Sequence, residues 1–105
     1  MNPILRGNMS VKVIGLIELK DQAAFEQYRS QVGQTVAQYK GTIAHRGAVT
    51  EVFWNELACK PFSAYVELHF SSKEDAHAWA NSPEYQSLVA IRQQAMSLTL
   101  FSVTL

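Results

Sequence analysis

The order of strand-like and helix-like segments constrains the fold of this chain more than any single motif does. Residues 11–19, rich in Val, Ile and Leu, predict a strand, and apolar residues at spacings of three and four over residues 25–39 predict a helix. Residues 42–53 and 62–70 predict two more strands, and a second helical region then leads to a last strand at residues 97–105. The predicted order is therefore β-α-β-β-α-β.

This order favours one architecture. With short right-handed crossovers, such a chain forms a four-stranded antiparallel sheet with both helices on one face. The predicted fold class is therefore α+β, in the ferredoxin-like arrangement. A chain of 105 residues is one domain on length alone. We assign the domain to residues 11–105 and treat residues 1–10 as an N-terminal extension that adds little to the core.

Local signals mark the ends of the helices. Asp21 is placed to cap the first helix, and Ser72 is placed to cap the second. The second helical region is interrupted where Ser82 precedes Pro83, since a serine cap followed by proline at the first helical position is typical of a helix start. Gly47 is a candidate bulge position in the second strand.

The first and last strands carry apolar residues on both sides. These residues are Val11, Val13 and Ile17 against Ile14 and Leu16 in the first strand, and Leu98 and Leu100 against Phe101, Val103 and Leu105 in the last. The helices cover only one face of the sheet, and an uncovered apolar face is an interaction surface. We therefore predict a homodimer that packs sheet to sheet about a two-fold axis. The alternative is a monomer covered by its own N-terminal extension, which is too short for that.

Composition excludes several classes of partner. The formal net charge is zero and no basic run is present, so we expect no nucleic-acid partner. The apolar run near the start is broken by Lys12 and Glu18 and is too short to span a membrane, so we expect no membrane partner either.

The residue patterns of common cofactor sites do not occur in the sequence. Cys59 is the only cysteine, which excludes an intrachain disulfide and a multi-cysteine metal site, and fits a cytoplasmic location. The three histidines lack the spacing of a metal site, and no phosphate-binding or dinucleotide-binding loop is present. We expect no cofactor and no metal.

One group of candidate ligand-binding residues surrounds the break in the second helical region. Apolar spacing continues through Tyr85, Leu88, Val89 and Arg92 at i, i+3, i+4 and i+7. Arg92 therefore lies on an apolar stripe and needs either a partner or a route to water. It reaches water at the edge of the stripe, pairs with Glu67 or Glu18, or holds the carboxylate or phenolate of a ligand between Trp79 and Tyr85.

A second group lies on the predicted second and third strands. If the hairpin turns midway through residues 55–60, Arg46 faces His69 across the two strands. A neighbouring cation lowers the pKa of a histidine, which leaves a neutral imidazole able to act as a base. Glu67 and Tyr65 follow on the same face as His69. The alternative is a polar seam near the dimer interface.

Several of these residues resemble the signature of the family called domain of unknown function 1330. The matching residues are Trp79, Asn81-Ser82-Pro83-Glu84-Tyr85 and Arg92, with Arg46-Gly47 on the second strand and Phe70-Ser71 at the end of the third. The resemblance implies a dimeric α/β barrel, from a superfamily of ferredoxin-like homodimers that includes cofactor-independent monooxygenases, isomerases and haem-binding members. His69 stands where the family usually has an acid, and Asn55 stands where it tends to have glycine.

The sequence thus predicts a homodimer with a small pocket between sheet and helices in each subunit. The expected function is binding of a small acidic or aromatic molecule by residues drawn from Arg46, Tyr65, His69, Trp79, Tyr85 and Arg92. One alternative is a cofactor-independent monooxygenase or isomerase in which His69 moves a proton and Arg92 stabilises an anion. Another is a structural dimer without a ligand.

Overall fold

The structure, a computed structural model, describes residues 10–105. Its elements are β1 Val11–Leu19, α1 Gln22–Gln38, β2 Gly41–Ala48, β3 Ala64–Phe70, α2 Lys73–Ala80, α3 Pro83–Gln86, α4 Val89–Ala95 and β4 Met96–Thr104. Apart from Ser10, the predicted N-terminal extension lies outside the described residues. The α+β prediction and the order of elements are confirmed.

The four strands form one sheet in the order β2-β3-β1-β4. All three strand pairs are antiparallel. The two strands at the centre, β1 and β3, contribute Val11, Val13, Leu68 and Phe70 to the buried core, which α1 and α2 cover. This is the ferredoxin-like arrangement that the order of segments predicted.

The helix starts follow the predicted caps. The side chain of Asp21 accepts a hydrogen bond from the Ala24 amide at 3.1 Å, and that of Ser72 accepts one from the Asp75 amide at 3.1 Å. Ser82 accepts from the Tyr85 amide at 3.0 Å, which satisfies one of the unpaired N–H groups at the start of α3.

The second helical region is broken twice, where the sequence predicted one break. Beyond the expected break at Ser82, α3 ends at Gln86 and α4 starts at Val89. At this second break the Ser87 hydroxyl donates to the Glu84 carbonyl at 2.7 Å, a local bond of the kind that competes with helix formation.

The β2–β3 hairpin differs from its prediction. β2 ends at Ala48, not at residue 53, so residues 49–63 form a longer loop than expected. The irregularity in β2 lies between Ile43 and His45, whereas Gly47 pairs regularly with Tyr65. The strand was predicted too long because Val52 and Phe53 favour β structure, yet both are exposed and neither pairs with a strand of the described part of the chain.

The helices leave one face of the sheet uncovered, and we call it the open face. Its residues are Thr42, His45 and Gly47 of β2, Tyr65, Glu67 and His69 of β3, Lys12, Ile14, Leu16 and Glu18 of β1, and Ser97, Thr99, Phe101 and Val103 of β4. Phe101 is 44% exposed and Val103 37% exposed. The predicted second apolar side of β1 and β4 is therefore present. No helix within residues 10–105 is long and apolar enough to cross a bilayer.

Candidate functional site

A pocket of about 370 Å³ opens between α1 and the sheet, and we call it the helix–sheet pocket. Its lining consists of Ile17, Phe25, Tyr28, Arg29, Val32, Ile43, Arg46, Gly47, Ala48, Ala64, Tyr65, Val66, Leu68 and Trp79. Most of these side chains are apolar or aromatic. The pocket exists because α1 and the β2–β3 hairpin present small residues, such as Ala48 and Ala64, next to large ones. Its volume lies toward the small end of the range for ligand pockets.

The charges of the helix–sheet pocket all have one sign. Among residues 10–105, its charged lining residues are Arg29 and Arg46, and no carboxylate lines it. Arg29 packs over the Phe25 ring at 5.5 Å and lies 3.5 Å from Glu26, an exposed pair that is worth little. Arg46 is exposed and has no carboxylate within 4.0 Å among the described residues. The pocket lining is therefore mainly apolar, and its charged residues are both cations.

Trp79, Tyr85 and Arg92 come together as the sequence predicted, but within a hydrogen-bonded core. The rings of Trp79 and Tyr85 lie 4.5 Å apart, and both side chains are buried. Arg92 Nη1 donates to the Tyr85 hydroxyl at 3.0 Å, and that hydroxyl lies 2.9 Å from the hydroxyl of Tyr28. Trp79 Nε1 donates to Thr35 Oγ1 at 3.0 Å. Tyr28 and Trp79 belong both to this hydrogen-bonded network and to the lining of the pocket. The network therefore fixes the position of one pocket wall.

Arg92 has neither of the carboxylate partners proposed from the sequence. Within residues 10–105, Glu67 pairs with Lys12 and His69, and neither Glu67 nor Glu18 forms an ion pair with Arg92. Instead the guanidinium is half-buried over the Tyr85 ring at 5.7 Å. Burial raises the pKa of Tyr28, so its phenol stays protonated and is available as a hydrogen-bond donor.

A separate polar cluster lies on the open face and is centred on Glu67. The Tyr65 hydroxyl donates to one carboxylate oxygen of Glu67, and His69 Nε2 lies 2.5 Å from the other. Lys12 Nζ lies 3.6 Å from the same oxygen as His69. Hydrogen bonds from Tyr65 and His69 lower the pKa of Glu67 to about 2, while the bond to Glu67 raises the pKa of Tyr65. Because a carboxylate only accepts, His69 carries its hydrogen on Nε2.

The predicted pairing of Arg46 with His69 is wrong. Arg46 lies opposite Val66, and His69 lies opposite Thr42. The hairpin is centred on residue 56, midway between the paired residues 46 and 66, so the true register differs from the predicted one. The ring that approaches His69 is that of His45, at a centroid distance of 6.4 Å.

The six candidate residues therefore fall in three places. Arg46 and Trp79 line the helix–sheet pocket, Tyr85 and Arg92 lie behind its wall, and His69 is on the open face. Tyr65 borders the pocket, but its hydroxyl belongs to the Glu67 cluster on the open face. His69 and Arg92 are on opposite sides of the sheet, which rules out the sequence-based pairing of the two as base and anion stabiliser in one site.

Sequence reasoning did not single out the pocket residues on α1. Phe25 and Tyr28 were interpreted only as part of an apolar helix stripe, and Arg29 was not considered. The spacing of Phe25 and Arg29 at i and i+4 was the available signal, since it places a cation over an aromatic ring at the edge of that stripe. No three His, Cys, Asp or Glu side chains of residues 10–105 gather as ligands for one metal ion.

Solved structures share this fold at low sequence identity. A protein of unknown function from Rhodopseudomonas palustris superposes with a TM-score of 0.76 at 14% identity, covering 93% of this chain and 83% of the other. A dimeric ferredoxin-like protein of unknown function from Thermobifida fusca gives a TM-score of 0.65 at 16% identity, covering 94% and 93%. SnoaB, a cofactor-independent oxygenase from Streptomyces nogalater, gives a TM-score of 0.65 at 11% identity, covering 92% and 93%.

The fold thus defines a small ferredoxin-like α+β protein whose structural relatives include dimers. Residues 11–104 match the family model described as domain of unknown function (DUF1330), which covers most of the chain. The protein belongs to this family, as the residues around Trp79 and Arg92 suggested. Among curated proteins, none matches its sequence.

Proposed function

We propose that this protein is a homodimer that binds a small molecule with an apolar or aromatic body and an anionic group in the helix–sheet pocket. One observation carries the proposal: an apolar cavity with two arginines in its lining and no carboxylate. An arginine fork matches the planar geometry of a carboxylate, while the rings of Phe25 and Tyr28 suit a flat ligand body.

Arg46 is the residue on which this proposal depends most. Arg29 already has Glu26 and the Phe25 ring as neighbours, whereas Arg46 lacks a carboxylate partner among the described residues. Pairing Arg46 with a ligand anion adds a charge-assisted hydrogen bond without breaking an existing ion pair. Such a bond is worth about 1.5–3 kcal/mol, which corresponds to roughly tenfold or more in affinity.

The test uses benzoate and its neutral analogue benzamide as probes in calorimetric titrations. We expect benzoate to bind more tightly than benzamide. Arg46→Met keeps the aliphatic part of the side chain and loses the charge. It should therefore weaken the binding of benzoate by about tenfold and leave the binding of benzamide unchanged. Lys20→Met is the matched control, because Lys20 is an exposed cation outside the pocket.

Two outcomes contradict this assignment. Equal affinity for benzoate and benzamide would show that the arginines do not recognise the anionic group of a ligand. Binding of neither probe, nor of any member of a wider panel of aromatic acids, would favour a structural dimer without a ligand.

The open-face cluster supports a second candidate function, proton transfer by His69 as in an isomerase or a cofactor-independent oxygenase. Glu67 accepts the Nε2 hydrogen of His69, so Nδ1 is the ring nitrogen that can take up a proton as a base. This acid–histidine pair orients a base in the manner of catalytic dyads. Lys12, within 3.6 Å of Glu67, supplies a cation on the same face in place of Arg92. The likeness of the fold to SnoaB motivates the reaction class.

Enolisation of phenylpyruvate tests this second candidate. The benzylic protons of the keto form exchange with deuterated water when a base removes them, and proton NMR follows the loss of signal. We expect catalysed exchange by the wild type and none by His69→Asn, which keeps a polar side chain but no base. Arg46→Met should exchange as fast as the wild type, because it lies outside the cluster. Exchange that persists in His69→Asn would exclude His69 as the base.

A further inference from the structure

The loop that joins β2 and β3, residues 49–63, carries large apolar side chains into solvent, and we call it the arm. Val52 is 48% exposed, Phe53 73%, Trp54 81% and Leu57 90%. Trp and Phe are enriched at protein interfaces, Trp most of all at their energetic centres, and contiguous exposed apolar surface marks interaction sites. The arm is thus the strongest candidate docking element among the described residues.

The tip of the arm has a defined conformation in the free chain. The Asn55 side chain donates to the Cys59 carbonyl at 2.8 Å and accepts from the Cys59 amide at 3.0 Å. Ala58, inside this turn, has a φ of 57°, a left-handed conformation that an alanine rarely adopts. A preformed tip loses less conformational entropy when it binds, which favours a docking role over that of a passive linker.

The arm lies on the same side of the sheet as the open face. Its returning limb, residues 59–62, forms a cavity of about 370 Å³ with residues of β1 and β4. Leu16, Glu18 and Thr99 from that cavity belong to the open face. The arm is therefore continuous with the surface that the proposed homodimer buries.

The chain also carries a matching cleft. A cavity of about 580 Å³ lies between α2 and the exposed edge strand β4, and we call it the edge cleft. Its lining consists of Val13, Lys73, Glu74, Ala76, His77, Trp79, Ala80, Leu100, Phe101 and Ser102. Phe101 belongs both to the edge cleft and to the open face, so the cleft too borders the proposed interface.

We propose that the arm of each protomer docks in the edge cleft of a second copy, an inference that rests on the proposed homodimer. Residues 49–55 lead from β2 to the tip, and an extended chain advances about 3.3–3.6 Å per residue, so the tip reaches up to about 23–25 Å. Facing sheets pack about 10 Å apart, which leaves about 13–15 Å of that reach for passing around β4 into the cleft.

The gain in buried area is substantial. Covering Phe53 and Trp54, which are 73% and 81% exposed, buries roughly 230–390 Å² on each arm, and a stable protein interface buries about 1,200–2,000 Å² in total. Two arms thus contribute a large share of a stable dimer interface.

The competing role for the arm is a lid over the helix–sheet pocket of its own protomer. The helix–sheet pocket and the edge cleft both lie on the helix side of the sheet, but the cleft borders the edge strand β4, where a copy that faces the open face can reach it around Phe101. Residues 59–62 of the arm pack toward the open face and therefore away from the pocket of their own protomer. The geometry therefore favours the second copy as occupant.

Tryptophan fluorescence tests the docking. The chain has two tryptophans, and Trp79 is only 2% exposed, so the difference between the wild type and Trp54→Phe isolates the signal of Trp54. We expect acrylamide to quench Trp54 several-fold less in the dimer than in monomers obtained by dilution. Equal quenching in a dimer proven by sedimentation would overturn the arm proposal and leave the homodimer intact. A wild type that is monomeric at every concentration would overturn both. Protection of Trp54 from acrylamide that occurs in monomers and only in the presence of benzoate would identify the arm as a lid instead.

A disulfide trap then tests the position of the docked arm. In a Cys59→Ser background, Leu57→Cys combined with His77→Cys should give a covalent dimer on a non-reducing gel after mild oxidation. The matched control combines Leu57→Cys with Gln34→Cys, an exposed site on α1 outside the edge cleft, and should stay monomeric under the same conditions. Equal crosslinking of the two pairs, or crosslinking of the control alone, would overturn the assignment of the edge cleft.

Discussion

Glu67 shows how a single side chain links the polar cluster of the open face to stability. Hydrogen bonds from Tyr65 and His69 lower its pKa from an ordinary value of 4.5 to about 2. A carboxyl with a lowered folded-state pKa stabilises the fold fully above its unfolded pKa and loses that contribution as the pH falls through its folded pKa. The contribution of Glu67 is therefore complete above about pH 4.5 and declines toward pH 2.

The corresponding prediction concerns Glu67→Gln. At pH 7 the variant should be less stable than the wild type, because its amide cannot replace the carboxylate as acceptor for Tyr65, His69 and Lys12 at once. The difference should shrink as the pH is lowered from 4.5 to 2.5, measured by urea unfolding at fixed protein concentration. Glu26→Gln, which alters an exposed carboxylate of α1 in an ion pair that is worth little, should follow the wild type throughout. A pH-independent difference for Glu67→Gln would contradict the role of its ionised form.

Among the secondary-structure elements, α3 depends most visibly on one residue. Ser82 is 3% exposed, and its hydroxyl both caps the Tyr85 amide and donates to the Trp79 carbonyl at 2.7 Å. Ser82→Ala should lower the free energy of unfolding by about 1 kcal/mol, the usual loss for an N-cap. Ser82→Thr keeps a capping hydroxyl and is the control.

The affinity for benzoate separates a structural role of Ser82 from a binding role. We expect it to be unchanged in Ser82→Ala, since Ser82 does not line the helix–sheet pocket. Lost binding at unchanged stability would assign Ser82 to the site rather than to the cap.

The secondary-structure elements also show which features of the fold could be predicted from the sequence. Asp21, Ser72 and Ser82 predicted their helix starts because a cap is a local interaction between residues three apart. Strand register was not predictable in the same way, because a hairpin joined by residues 49–63 has no short turn to fix its pairing. The contact between Tyr85 and Arg92 was predicted from helical spacing, and that between Trp79 and Tyr85 from the break that separates them. The helix–sheet pocket could not be predicted in this way, because it depends on how α1 packs over residues of β2 and β3 that are distant in sequence.

At the scale of the whole molecule, the open face requires an explanation. It combines an apolar band, formed by Ile14, Leu16, Phe101 and Val103, with the Glu67 cluster, and no helix of residues 10–105 covers it. Structural relatives with the same fold are described as dimeric. Packing two open faces together hides the apolar band and also places both Glu67 clusters in the interface. A proton-transfer site there would then be enclosed by the second copy, whereas the helix–sheet pocket stays within each protomer.

Leu16→Asp tests this assembly. Leu16 lies on the open face in the middle of β1, so a carboxylate there would be buried without a partner in a sheet-to-sheet dimer. We expect the variant to sediment as a monomer at micromolar concentration, where the wild type sediments as a dimer. Leu19→Asp is the matched control, because Leu19 ends the same strand on its other face and is already 40% exposed. It should stay dimeric, since its carboxylate remains in water. A monomeric wild type would contradict the homodimer, and a dimeric, folded Leu16→Asp would show that the two copies meet through a surface other than the open face.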